Sequence, residues 1–173
     1  MALEGEYLGM PVVIDDLDKP NQEFYSRCGS GALHLQFCAS CSLMRYPTTT
    51  ACPWCASPDY EWRPVSGKGT VYSYAEVHHA IQPVFRQFLP YMILLVELDE
   101  QAGVPGEHDG LRVTGNLTLA DGTMAPKDVV SAVGIGSRVR VVLKDLGGGL
   151  ALPQWTLDED AEQPETPWRY AND

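Results

Sequence analysis

Cys38, Cys41, Cys52 and Cys55 are the side chains most able to do chemistry here, because they stand as two Cys-x-x-Cys pairs with ten residues between them. Each pair makes a tight turn that aims two thiolates at one point. Two such turns facing each other supply the four sulfurs of a tetrahedral site, which zinc accepts without strain. A doubled Cys-x-x-Cys at this separation is far more specific than a single one. The competing reading is a redox or disulfide pair. With four protein ligands no position is left for water or substrate, so the expected Zn(2+) is structural.

The other reactive residue types have plainer readings. His78 and His79 are neighbours on a predicted strand and point to opposite faces, so they cannot share a metal; one is expected at the surface and one partly buried. Cys28 follows Phe24 by four residues on a helical face, which suits packing better than nucleophilic attack. Glu97, Asp99 and Glu100, and likewise Asp15, Asp16 and Asp18, read as solvated acidic edges. Gly147-Gly148-Gly149 falls in a hairpin turn and lacks the Lys and Ser/Thr of a phosphate loop. No nucleophile elbow is visible, and the chain reads as non-catalytic on its own.

Composition narrows the classes further. The chain has 173 residues, room for one medium core or two small ones. A net charge of −11, from 23 acids against 12 bases, disfavours a nucleic-acid surface, which needs Lys and Arg to neutralise phosphate. An odd cysteine count with two metal-type pairs points to a reducing, cytoplasmic setting. The first residues carry no basic start and no long apolar run, and the longest apolar run, Met92 to Val96, is too short to cross a bilayer. A soluble protein without a membrane partner is expected.

Four zones must position the cysteines. Residues 1–17 read as an extended N-terminal arm. Residues 18–60 hold a short helix, capped by Asp18 or Asn21 and ended by Gly29, and then the cysteine turns with Pro47, Pro53 and Pro58 among them. So small a ribbon has little core, and metal binding, worth about 10 kcal/mol in such modules, would hold it folded. Residues 61–157 change to short strands. From Gly69 the pattern alternates, with Val71, Ser73, Ala75 and Val77 on one side and Tyr72, Tyr74, Glu76 and His78 on the other. Pro90 to Leu98 is nearly continuous apolar strand, so both faces are expected to be covered. Leu111 to Leu119 alternates around Gly115, a candidate bulge or bend. Pro126 to Val133 suits a short helix, and Ser137 to Leu146 and Leu150 to Leu157 complete five strands. The fold class is therefore mainly β, a zinc ribbon followed by a five-stranded OB-fold barrel. Residues 158–173 form an acidic, Pro-rich tail expected to be mobile.

The order Phe24-Tyr25, Gly31-Ala-Leu33-His-Leu35-Gln-Phe37-Cys38-Ala-Ser-Cys41, Pro47, Cys52-Pro-Trp-Cys55, Glu61-Trp62 and Val65-Ser-Gly67-Lys-Gly69-Thr-Val71-Tyr-Ser73 resembles the DUF35 proteins. The resemblance runs from about residue 20 to 157. It implies an N-terminal helix, a rubredoxin-like zinc ribbon and an OB-fold. It also implies partnership with a thiolase-fold enzyme that makes or breaks carbon–carbon bonds on coenzyme A thioesters. Members similar to this one pair with lipid-transfer-protein-like aldolases of steroid side-chain degradation, which cleave a β-hydroxyacyl-CoA by retro-aldol chemistry. Three positions depart from the family pattern: Tyr25 where Trp is common, Thr48 where Arg follows Pro47, and Ala56 where Gly follows the fourth cysteine.

The leading expectation is a non-catalytic accessory subunit in an α2β2 complex, with the acyl-CoA held mainly by the thiolase-like partner. Phe24, Tyr25, Leu33, Leu35, Phe37, Met44 and Tyr46 are the candidate interface anchors, since aromatic side chains and Met are enriched at such contacts. A second reading is a CoA-channelling partner of an acetyl-CoA acetyltransferase. In that reading Arg45, Phe85, Arg86 and Phe88 contact CoA or line a channel, together with Tyr72 and Tyr74. The third is a nucleic-acid-binding OB module, which would need a basic stripe among aromatics.

Overall fold

The computed structural model describes residues 1–170, and the chain divides into two compact units. The first unit comprises Met1–Gly67, Glu100–Leu111 and Leu143–Pro153; the second comprises Lys68–Asp99, Arg112–Val142 and the chain from Gln154 onward.

The first unit opens with β1 (Leu3–Tyr7) and β2 (Met10–Ile14), paired antiparallel around Leu8 and Gly9 at positive φ. Residues expected as an extended arm therefore fold back on themselves as a hairpin. Helix α1 (Lys19–Gly29) follows, with the Asp18 carboxylate accepting from the Asn21 N–H as its N-cap and Pro20 in its first turn. Phe24 and Cys28 lie on its buried side, as their spacing predicts, joined by Gln22. Gly29 is the last helical residue for a reason other than a left-handed turn. A Cβ there would stand 1.9 Å from the Gly149 carbonyl oxygen, whereas the chain reverses at Gly31, with φ +97°. The ribbon is a three-stranded antiparallel sheet in the order β4 (Met44–Arg45), β3 (His34–Cys38), β5 (Tyr60–Pro64).

The second unit holds the five-stranded sheet, in the order β10 (Leu150–Leu157), β9 (Arg138–Gly147), β6 (Lys68–Val77), β7 (Tyr91–Leu98), β8 (Arg112–Asn116); the turn ends of β9 and β10 are counted in the first unit. Helix α2 (Lys127–Ala132) lies between the third and fourth strands of this set, the position an OB-fold gives its helix. A parallel bridge from Leu117 to Trp155, with Thr118 N–H donating to the Trp155 carbonyl at 2.7 Å, brings the end of β8 to β10. Met92, Leu94, Val96 and Leu98 are fully buried while Tyr91, Ile93, Leu95 and Glu97 are half-covered, so β7 has one dry face rather than two.

The irregularity of this sheet is in β6 and not at Gly115. Gly115 pairs with Leu94 in regular register, whereas β6 slips by one residue between Val71 and Ser73. The extra residue, Tyr72, turns every later side chain over. Val71 stands opposite Val96, but Tyr74 and Glu76, not Ser73 and Ala75, then stand opposite the buried Leu94 and Met92. A carboxylate on that side needs a counterion, and the C-terminal tail brings one. Arg169 pairs with Glu76 at 2.5 Å, and its other guanidinium nitrogen donates to the carbonyls of Val130 and Val133 at the end of α2. Trp168 bridges Ile135, and the Tyr170 N–H donates to the Tyr74 hydroxyl at 2.9 Å. The tail expected to be mobile is thus tied down as far as Tyr170, because it satisfies charges and carbonyls that the barrel leaves open. Residues 171–173 of that tail lie outside the described residues.

Candidate metal centre

Both cysteine turns are built alike. In the first, Cys38 N–H donates to the Leu43 carbonyl and Ser42 N–H to the Cys38 carbonyl, at 2.9 and 3.0 Å; in the second, Cys52 N–H donates to Ser57 and Ala56 N–H to Cys52, both at 2.8 Å. Ser42 and Ala56, each following the second cysteine of its pair, sit at φ +62° and +61°. This left-handed position is what a tight knuckle requires, and it is one that Gly adopts more readily than Ala56.

The four Sγ atoms lie within 4.8 Å of one another, with Cys38 to Cys55 and Cys41 to Cys52 each at 3.6 Å. These separations are far too long for disulfides. A tetrahedron of bonds about 2.3 Å long has edges of about 3.8 Å, so the cluster could hold one metal ion of the size and geometry of zinc. Backbone N–H groups favour two of the four sulfurs as thiolates, while burial and the neighbouring sulfurs outweigh them at Cys41, pushed up to about 12, and at Cys55, also raised. The N–H groups of Cys41 and Ser40 bring the Cys38 thiol down to about 6. Burial opposes ionisation of Cys52, yet the N–H groups of Trp54 and Cys55 still lower its pKa. Cys38 and Cys52 are buried, Cys41 is half-buried and Cys55 is exposed, so one edge of the centre faces outward beside Trp54.

The residues chosen as interface anchors divide. Phe24, Leu33 and Leu35 are each 1% exposed and form the core of the first unit, so they are not docking side chains. Tyr25, Phe37, Met44 and Tyr46 remain half-exposed. Phe24 gathers Tyr25, Tyr46 and Trp62 around its ring, and Arg63 lies over Phe37. Arg45 is likewise inside: its Nε donates to Gln36 Oε1 at 2.9 Å and a terminal nitrogen to the Thr49 carbonyl at 3.1 Å, with Tyr60 beneath the guanidinium. It braces the turn between the knuckles and is not available to a CoA phosphate. Phe85 and Phe88 are half-buried and Arg86 is exposed on the 3-10 turn Pro83–Phe88.

His78 and His79 are both exposed, and His78 Nε2 rests 3.1 Å from Glu76; the half-buried partner expected of this pair is not there, because the strand ends at Val77. Burial pushes the Cys28 thiol up to about 12, which suits packing. Sequence reasoning missed Gln101, whose side-chain amide bonds both the N–H and the carbonyl of Met44, at 2.7 and 3.1 Å. No local pattern betrays a contact made 57 residues away. No helix among the described residues is long and apolar enough to cross a membrane.

A cysteine ribbon joined to an OB-fold sheet defines a small two-unit class of proteins. Residues 62–144 match the family described as the C-terminal OB-fold domain of ChsH2. A DUF35 domain-containing scaffold protein of Methanocaldococcus jannaschii is 32% identical over 108 residues, which is 62% of this chain and 64% of that one. A probable enoyl-CoA hydratase alpha subunit of Thermomonospora curvata is 36% identical over 84 residues, 49% of this chain and 26% of that one. This chain therefore spans about two thirds and about a quarter of the lengths of these curated relatives. Among solved structures it is similar to the Ltp2-ChsH2(DUF35) aldolase, with a TM-score of 0.62 and 29% identity over 83% of this chain and 98% of that one. These likenesses are to DUF35 proteins.

Proposed function

We propose that this chain is a zinc-binding accessory subunit of a thiolase-fold aldolase and supports retro-aldol cleavage of a steroid side-chain β-hydroxyacyl-CoA. The observation that carries the reading is the likeness to a DUF35 chain of an aldolase complex across 98% of that chain. In the reaction, the bond between the α and β carbons breaks, leaving a carbonyl product and a shorter acyl-CoA. Those steps belong to the partner. The relative that is a probable hydratase subunit supports the same setting, since hydration of an enoyl-CoA yields the β-hydroxyacyl-CoA such an aldolase consumes.

In this role Cys38, Cys41, Cys52 and Cys55 hold a structural Zn(2+), which ties β3 to the segment before β5. Tyr25, Phe37, Met44 and Tyr46 are the half-exposed candidates for the partner contact, in a cytoplasmic α2β2 assembly that leaves the acyl-CoA mainly to the partner. A second reading, a CoA-channelling partner of an acetyl-CoA acetyltransferase, draws on exposed Arg86 beside half-buried Phe85 and Phe88. The excess of acid weighs against the nucleic-acid module. The test is co-expression with a thiolase-fold aldolase subunit, followed by an assay on a steroid β-hydroxyacyl-CoA. Cleavage by the pair and by neither chain alone is expected. Turnover by this chain alone, or an acetyl transfer in place of cleavage, would overturn the reading.

A further inference from the structure

The first unit contains a groove of about 520 Å³ that the cysteine centre does not use. Tyr7, Ile14, Leu146 and Leu152 make its floor and walls, and Tyr25 of α1 closes one side. Tyr7, Ile14 and Leu146 are themselves buried, so the floor is firm. The apolar lining reaches the surface at Val13, which is 62% exposed. An open groove with an exposed apolar rim of this kind suits contact with another macromolecule.

The lip of the groove has one sign of charge. Asp15 and Asp18 both line it, and no lining residue is basic. Each carboxylate holds the local backbone, Asp15 accepting from the Leu17 N–H at 2.8 Å and Asp18 from Asn21, yet both remain exposed. The nearest bases are engaged elsewhere. The Lys19 amine donates to Gln22, and the N-terminal amine sits 3.7 Å from Asp16. An apolar floor with an acidic lip selects an apolar side chain carried next to a cation, and it repels phosphates. Coenzyme A is therefore a poor occupant.

We infer that this groove is a docking site for a segment of a partner protein that presents an aromatic or branched aliphatic side chain beside Lys or Arg. The inference deepens the accessory-subunit reading and rests on it only in taking the occupant to be a protein subunit. It places the partner contact on the N-terminal hairpin and α1 rather than on the ribbon face.

Two substitutions isolate the charge without disturbing the fold, because Asn accepts the same backbone hydrogen bonds as Asp and caps helices as well. In D15N/D18N, with metal bound, affinity for the co-purified aldolase subunit should fall about tenfold, and its dependence on salt should weaken. A second arm needs no partner. An acetylated six-residue peptide of leucine, phenylalanine, lysine and arginine should shift the resonances of Tyr7, Val13 and Tyr25 in the full chain. The same peptide with glutamate in place of each base should not. Wild-type affinity in D15N/D18N, equal binding of the two peptides, or coenzyme A shifting those resonances would overturn the inference. So would self-association of the chain that V13E abolishes, since the groove would then hold a second copy. If no aldolase co-purifies, the accessory-subunit reading falls while the peptide arm still decides the groove.

Discussion

The two units reach stability by different routes. In the second, Met92, Leu94, Val96 and Leu98 on β7, with Val113 on β8, Val139 on β9 and Trp155 on β10, have no exposed surface at all, and strand pairing carries the backbone. In the first, the strands are short, β4 is two residues long, and the buried apolar set around Phe24, Leu33 and Leu35 stops before the knuckles. Beyond that point the chain is held by the four sulfurs, the hydrogen bonds of the knuckles and the Arg45 brace. One unit spends sequence on alternating apolar residues; the other concentrates its cross-link in four residues, and leaves its surface open for contact.

The sharpest way to test this contrast is Cys52→Ser. Loss of one thiolate should release the metal, collapse amide-exchange protection across β3 to β5, and abolish partner binding, while β6 to β8 stay protected. Collapse of both units together would show that they are not separate in stability. Acid should act like the mutation, since protons compete with metal for thiolates. Next in size, Trp155→Ala removes a fully buried ring from the second unit and should cost about 3–5 kcal/mol in chemical denaturation without changing the metal-binding capacity of the cysteine cluster. Trp155→Phe should cost much less, because the indole N–H meets no acceptor among the described residues.

A smaller change of opposite sign is expected at Ala56. Its φ of +61° is a glycine conformation, so Ala56→Gly should stabilise the metal-loaded ribbon by about 1 kcal/mol and slow metal loss to a chelator. An unchanged or faster loss would mean that the knuckle is not strained there. The smallest effect concerns Asp99. The hydrogen bond from Arg138 holds its carboxyl below the ordinary value of 3.8, with Arg138 also bonded to Thr70. A depressed folded pKa gives stability that is complete above the unfolded value and is lost as pH falls through the folded one. Denaturation curves should thus steepen in acid below about pH 4 for the wild type and flatten there for Asp99→Asn. The carboxylate is partly exposed, so the change will be slight.

Much of this was legible in the residues. The cysteine spacing, the helix with Phe24 and Cys28 on one side, and the five strands with a helix between the third and fourth are local patterns, and local patterns survive folding. The docking candidates were less legible, since apolar residues in a ribbon look alike whether they face inward or out; Phe24, Leu33 and Leu35 went in, and Tyr25 stayed half out. Arg45 shows the same limit for charge. Nothing adjacent to it reveals that Gln36 and Thr49 would take its guanidinium inside.

By itself the chain's order of residues determined the four-cysteine cluster, the class of fold and the five strands of the larger sheet, because each depends on spacings of a few residues. Only the tertiary structure decided the slip at Tyr72 that turns Glu76 toward Arg169, the hairpin made by the first residues, and the acid-lipped groove against α1. Those features depend on which distant groups meet, and the physical reason is that a counterion, a carbonyl or an apolar wall is supplied by segments far apart along the chain.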